Sequence, residues 1–312
     1  MKATVSPILS DTRPASFDEA PLAAAPLPWV MDLFANVGSD CDQANGMISA
    51  VRHTATASLV TVIVEDAADL AAADFERQTR KAYQLIRKSL ADLPAAEPVR
   101  FWNHIPFIHQ AMDEGRTADR DRYMVFNAGR FKAFCDWFGG SDQFGGRVAT
   151  ASGVGHSDRD LVIHCLAART RGKAVENPRQ IPAFRYSKRY GPLPPCFARA
   201  TIVRDLLPTG PAVLVGGTAS ICGERSVHRN QLVGQFRETL DNLASLITAA
   251  GVKRDPLAAF SDLRIYYPRK RDARAIEKNA RAAFTAAERI QITPADLCRS
   301  ELLVEIEGVA RL

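Results

Sequence analysis

No two of the six cysteines (Cys41, Cys135, Cys165, Cys196, Cys222 and Cys298) form a C-x-x-C pair, and the six histidines show no H-x-x-x-H spacing. These absences argue against a structural zinc centre and a disulfide framework, so no metal is expected. Long apolar runs are missing as well: none approaches the ~20 residues needed to span a bilayer. Residues 1–27 contain Lys2 and Arg13 but no continuous apolar core of the kind a signal peptide needs. Charge of one sign is also scarce, with 40 Lys+Arg against 35 Asp+Glu leaving a net +5. That excess is too small and too scattered to point to nucleic acid, though it suits a small anionic substrate. The expectation is a cytoplasmic protein with neither membrane nor nucleic-acid partner. What is present is bulk. At 312 residues and 46% hydrophobic content the chain can bury a sizeable core, as two domains or one pseudo-symmetric unit.

The opening segment is rich in Pro and Ala (Pro7, Pro14, Pro21, Pro26, Pro28) and reads as a tail, with order beginning near Trp29. Ser58–Val64 is a β-branched run of strand length. Asp74 is a candidate N-cap for a helix from Phe75 to Leu93, where Tyr83, Ile86 and Leu90 share one face and Pro94 follows. Val99–Trp102 reads as a strand, Asn127–Phe138 as a helix stopped by Gly139-Gly140, and Leu161–Ala167 as a buried strand. The second half repeats this order. A strand reaches Gly216-Gly217-Thr218-Ala219-Ser220, a helix runs from Gln235 to Gly251, and a strand spans Leu263–Tyr267. A further helix passes through Asn279, Phe284 and Ala287 before the final strand, Val304 to Ala310.

Laying Gln78 on Gln235 places Tyr83 on Leu240, Ile86 on Leu243 and Leu90 on Ile247. Arg100-Phe101-Trp102 then falls on Arg264-Ile265-Tyr266, and Leu161-Val162 on Leu303-Val304, with Ile163 opposite Glu305. The expected organisation is a tail over 1–27, a first domain over 28–172, and a second over 173–312 that alone carries the acid. The order of glycine-turn strand, long helix opening near a Gln, strand, helix and final strand resembles the RidA/YjgF family. The resemblance implies an α+β fold of tandem RidA/YjgF-like (chorismate mutase-like) units in a pseudo-symmetric arrangement. In that fold, small anionic metabolites sit in a cleft between neighbouring copies.

Between the copies lie N-P-R-Q-I-P-A-F-R-Y (177–186) and Y-G-P-L-P-P-C-F-A-R-A (190–200), whose prolines exclude a helix and whose aromatics argue against an idle linker. With G-G-T-A-S-I-C-G-E (216–224) and C-R-S-E-L-L-V-E-I-E (298–307), these runs resemble the chorismatases over about residues 95–312. The resemblance implies cleavage of chorismate to pyruvate and 3-hydroxybenzoate, alone or mixed with 4-hydroxybenzoate. It also implies a site between central and C-terminal domains of a monomer or weak oligomer. No metal or organic cofactor is implied, because protonating an enol ether needs only an acid and a charged pocket.

Glu305 matches the family's catalytic glutamate. Strand alternation places Val304 and Ile306 on one face and Leu303, Glu305 and Glu307 on the other, so the acid is desolvated with a second acid two residues on. On the residues alone an exposed edge-strand carboxylate is the favoured reading; the resemblance reverses it to the general acid. Cys298 and Gly217 match the hydroxybenzoate-forming branch, the thiol near the ring and the glycine leaving room for it. A free cysteine used as small buried packing is the alternative for Cys298. Two substrate carboxylates need cations, for which Arg199, Arg185 and Arg269 are candidates, with Tyr186 as a neutral donor. Gln235 resembles a cleft residue but serves equally as a structural cap. His164 reads as a satisfied core histidine, and Ser220 has no His–Asp order to activate it. The rival readings are a hydrolase making the 3,4-dihydroxycyclohexadienoate and a RidA-like imine hydrolase or metabolite-binding protein.

Overall fold

The β-branched and aromatic runs of this chain assemble into two sheets of six strands each. A computed structural model of the protein describes residues 24–112 and 120–312. The first unit follows a short helix α1 (Pro28–Asp32) and contains β1 (Asp40–Ala44), β2 (Met47–His53), β3 (Ala57–Val64), α2 (Ala72–Leu90) and β4 (Glu97–Pro106). It is completed by α3 (Arg122–Phe138), β5 (Thr150–His156) and β6 (Leu161–Ala168). The second contains β7 (Lys173–Val175), β8 (Ala200–Val203), β9 (Ala212–Ala219), a small hairpin of β10 (Ile221–Cys222) and β11 (Arg225–Ser226), and α4 (Leu232–Ala250). It ends with β12 (Phe260–Tyr267), α5 (Ala273–Ala283), β13 (Arg289–Pro294) and β14 (Glu305–Arg311).

The strand orders, β1-β2-β3-β6-β4-β5 and β7-β8-β9-β14-β12-β13, are the same order twice. In each sheet only the last pair is parallel, β4 with β5 and β12 with β13. A helix crossover joins each of these pairs, as parallel neighbours require. The α+β class and the tandem units are therefore present as expected. The register between copies differs by one residue. Trp102 pairs with His164 and Tyr266 with Glu305, so His164, not Ile163, stands opposite Glu305. A slip of one residue exchanges the two faces of a strand. Ile163 instead packs into the core under the helices.

Helix boundaries also shift. Asp74 lies inside the first turn of α2, whose N-cap Ala71 gives no side-chain bond, so Asp74 meets the positive helix end instead of capping it. The first turn of α3 precedes the expected Asn127: Asp121 caps it, its carboxylate accepting from Met124 N–H at 2.8 Å. Gly139 closes α3 with φ +82°, which its missing Cβ permits. α5 stops before Phe284, which packs on Phe260 with ring centroids 5.3 Å apart.

One sheet face in each unit is covered by its helices, and the other faces the opposite unit. There Leu59, Trp102 and Leu166 meet Leu214 and Val309. The N-terminal segment packs in from Ala24, earlier than Trp29, while Pro7, Pro14 and Pro21 lie outside the described residues. The Ala24 carbonyl accepts from His164 Nε2 at 2.7 Å, and Ala25 O accepts from Arg264 at 3.1 Å. Thr61 completes the His164 ring at 2.7 Å, and burial pulls the imidazole pKa down to about 4, so it is a neutral core histidine. No helix among the described residues is long and apolar enough to cross a membrane.

Candidate active site

Glu305 opens β14, paired with Ala219 of β9 on one side and Tyr266 of β12 on the other. Alternation sends Ile306 into the core of the second unit and turns Glu305 and Glu307 toward the first. A bulge between Ile306 and Gly308 bends the ladder beside the Gly216-Gly217 stretch. At Gly217 a Cβ would sit 2.7 Å from Glu305 Cδ and 3.2 Å from Ser152 Oγ, and closer still to Glu305 Oε1. Only glycine lets the Glu305 carboxyl lie against the backbone here.

Below it, Glu307 accepts from Arg100 Nη2 at 2.6 Å, Trp102 Nε1 at 3.1 Å, Tyr266 Oη at 3.0 Å and the Ser152 hydroxyl. Ser152 Oγ in turn accepts from Gly217 N–H at 2.8 Å. Glu305 accepts no hydrogen bond among the described residues. Burial raises its pKa to about 8, the Glu307 charge adds to that, and Arg100 and Arg199 oppose it.

Glu305 faces a cavity of about 230 Å³ between the units. Of the residues singled out from the sequence, Gly217, Cys298, Arg199 and Tyr186 line it together with Glu305. Arg199 is 3% exposed, donates to Tyr186 Oη at 2.6 Å and Ile181 O at 3.2 Å, and lies 5.1 Å from the Phe197 ring. Its Nε is buried without a partner among the described residues. Cys298 is half-buried, and burial, with Glu305 nearby, pushes its pKa up to about 12. At neutral pH it is a thiol, not a thiolate.

Three expected binding residues do not reach the cavity. Arg185 is exposed and lies 5.8 Å from the Phe184 ring, because its one-turn 3₁₀ helix points it outward. Arg269 donates to Asn230 at 2.9 Å on the exposed side of the turn after β12. Gln235 is buried inside α4, which starts three residues before it. Its amide donates to Glu301 O at 2.8 Å and His228 O at 3.2 Å and accepts from Leu303 N–H at 2.7 Å. It ties down the segment leading into Glu305 instead of facing a ligand.

Residues from the first unit were missed. Tyr123 and Arg130 reach the cavity from α3, and Ser152 from β5. Arg130 is 2% exposed, bonds Asn127 at 2.8 Å and leaves Nε unpartnered among the described residues. Tyr123, Asn127 and Arg130 recur at i, i+4 and i+7, a polar stripe that helical spacing makes readable. Arg299, beside Cys298, completes the basic wall with its guanidinium 3.8 Å from the Tyr190 ring centroid. The cavity thus sets the Glu305 carboxyl among three arginines, with Asp121 and Glu301 also on its wall, an arrangement able to hold an anion and protonate it.

The family profile "Chorismatase FkbO/Hyg5-like, N-terminal" matches residues 36–167. A 3-hydroxybenzoate synthase of Streptomyces hygroscopicus is 36% identical over 244 residues, covering 75% of this chain and 69% of that protein. A chorismatase of the same organism is 32% identical over 217 residues, covering 67% of this chain and 60% of that one. A crystal structure of a chorismatase superposes with a TM-score of 0.73 at 27% identity, over 87% of this chain and 79% of that chain. Together with the two-unit fold and the acid set between the sheets, these likenesses show that the chain belongs to the chorismatase family.

Proposed function

We propose that this protein cleaves the enolpyruvyl ether of chorismate, releasing pyruvate and 3-hydroxybenzoate, with Glu305 as the general acid. The observation that carries the reading is the buried Glu305 carboxyl, without a hydrogen-bond partner among the described residues and with its pKa raised to about 8, facing Arg199, Arg130 and Arg299. A carboxyl with that pKa holds its proton at neutral pH and is poised to give it away. Chorismate is a dicarboxylate, and planar guanidinium forks match carboxylates. Transfer of the Glu305 proton to the terminal methylene of the enol ether leaves positive charge on the ether carbon, beside the Glu305 carboxylate just formed. The bond between the ring and the ether oxygen then breaks, so that this oxygen leaves as the keto oxygen of pyruvate. The oxygen of the neighbouring ring hydroxyl shifts onto the vacated carbon, and that carbon returns a proton to the Glu305 carboxylate as the ring aromatises.

Pyruvate plus 3-hydroxybenzoate contain all the atoms of chorismate, so this outcome consumes no water. The dihydrodiol takes up one. Product choice is then a matter of how closely the ring is held. Gly217 admits it against the backbone, and the neutral Cys298 thiol stands beside Glu305 as a small hydrogen-bonding wall. The test is incubation with chorismate, measuring pyruvate enzymatically and ring products by chromatography against standards. Equal amounts of pyruvate and 3-hydroxybenzoate are expected, with any 4-hydroxybenzoate resolved beside it. The dihydrodiol would make the protein the hydrolase. Absence of pyruvate would overturn the reading in favour of imine hydrolysis or metabolite binding.

A further inference from the structure

The Arg100–Glu307 pair lies outside the cavity wall, yet its carboxylate accepts from four side-chain donors among the described residues. Glu307 and Arg100 are 1% and 2% exposed. Donors from both units converge on the Glu307 carboxylate: Arg100 and Trp102 from β4, Ser152 from β5 and Tyr266 from β12. A buried ion pair of this kind is seldom retained for stability alone, because desolvation cancels much of its attraction. Its position suggests another use. Glu307 stands two residues from Glu305 on the same strand face, and Ser152 connects it to the Gly217 backbone against which Glu305 lies.

We propose that the Arg100–Glu307 pair is a positioning device for the acid: Arg100, Trp102, Ser152 and Tyr266 anchor a second carboxylate on the same strand face as Glu305, where its charge adds to burial in keeping the proton on Glu305. The inference rests on the reading of Glu305 as the general acid. The groups facing Glu305 are Glu307 from its own strand, Tyr266 from β12, Arg100 from β4, Tyr123 from α3, Arg199 from the lead-in to β8, and Cys298 from the preceding segment. Burial raises the pKa of Tyr123, Tyr266 and Cys298, which stay neutral in the working range. His109, Asp121, Arg130, Arg299 and Glu301 line the same cavity. Of the charges acting directly on Glu305, Glu307 alone favours the protonated form, while Arg100 and Arg199 oppose it, so removing the Glu307 charge leaves the opposing arginines unbalanced.

The experiment is the pH profile of kcat/KM for pyruvate release by Glu307→Gln. Its alkaline limb should move down by about one pH unit or more, cutting turnover at pH 8 about tenfold relative to the same variant's acid plateau. Ser152→Ala keeps both charges, so its limb should stay in place whatever happens to kcat. If Glu307→Gln does not fold, the double variant Arg100→Met with Glu307→Met replaces the pair by apolar volume and should shift the limb in the same direction. An unmoved limb in a folded variant overturns the proposal, as does an equal shift in Ser152→Ala. Infrared titration of the protonated carboxyl band that Glu305→Gln abolishes reads the same shift without turnover. A wild-type protein releasing no pyruvate would therefore sink the functional reading while leaving this inference to the infrared result.

Discussion

Each side chain around the cavity has an assignable consequence. Glu305→Gln keeps shape but has no acidic proton, so turnover should fall by about 10²–10⁴-fold while a dicarboxylate inhibitor still binds. Near-normal turnover would move the role to another group. Arg199→Ala should weaken substrate binding by about 2–5 kcal/mol, because its guanidinium is buried and its Nε awaits a partner. Arg269→Ala, at an exposed turn, should change binding by less than about 0.5 kcal/mol. Gly217→Ala is a different kind of test. The added methyl collides with the Glu305 carboxyl, so combined with Cys298→Val it should displace the acid and crowd the ring. Loss of 3-hydroxybenzoate with gain of the dihydrodiol is the expected product change by chromatography. An unchanged ratio would remove both residues from the control of outcome.

The element that matters most beyond β14 is the first turn of α3. Asp121 caps it and so places Tyr123 and Met124 on the cavity wall. Asp121→Ala should cost about 1 kcal/mol of stability, read by denaturant unfolding. It should also raise KM more than it lowers kcat, since it loosens a binding wall and leaves Glu305 alone. A parallel argument holds for Gln235, whose amide fixes the backbone at Glu301 and Leu303. It acts on the acid only through that segment.

At the scale of the whole molecule, the raised pKa of Glu305 couples folding to pH. Unfolded, the carboxyl titrates near its ordinary 4.5; folded, near 8. Between those values the native state holds the proton and the unfolded state has lost it. Stability therefore declines as pH rises through that window and levels off above it. Glu305→Gln has no such proton, so its Tm should exceed that of the wild type by more at pH 9 than at pH 6. A constant Tm difference would place Glu305 in a solvated setting. The two units also have to stay docked for the site to exist, because Arg130, Tyr123 and Ser152 belong to one and Glu305 to the other.

Much of this was legible in one dimension. The period of the helices, the β-branched runs and the matching order of elements define an α+β chain with two copies of one plan, since local backbone preference and burial both follow the spacing of apolar residues. Glu305, Cys298 and Gly217 were singled out through the resemblance to the chorismatases, and Arg199 and Tyr186 as a cation and a neutral donor suited to a carboxylate; residue spacing alone would have left Glu305 an exposed edge-strand acid. What sequence spacing could not fix was register and reach. Whether Ile163 or His164 matches Glu305 depends on a ladder offset of one residue, set by pairing with β4. Arg185 and Arg269 were singled out and Arg130 and Arg299 were not, because spacing does not say which arginines the fold aims at solvent and which at the cavity. Glu307 looked like a second acid for the same cleft. Only tertiary structure surrounds it with four donors from both units, because the residues that neutralise it lie some 150 to 200 positions away in the chain or on a neighbouring strand.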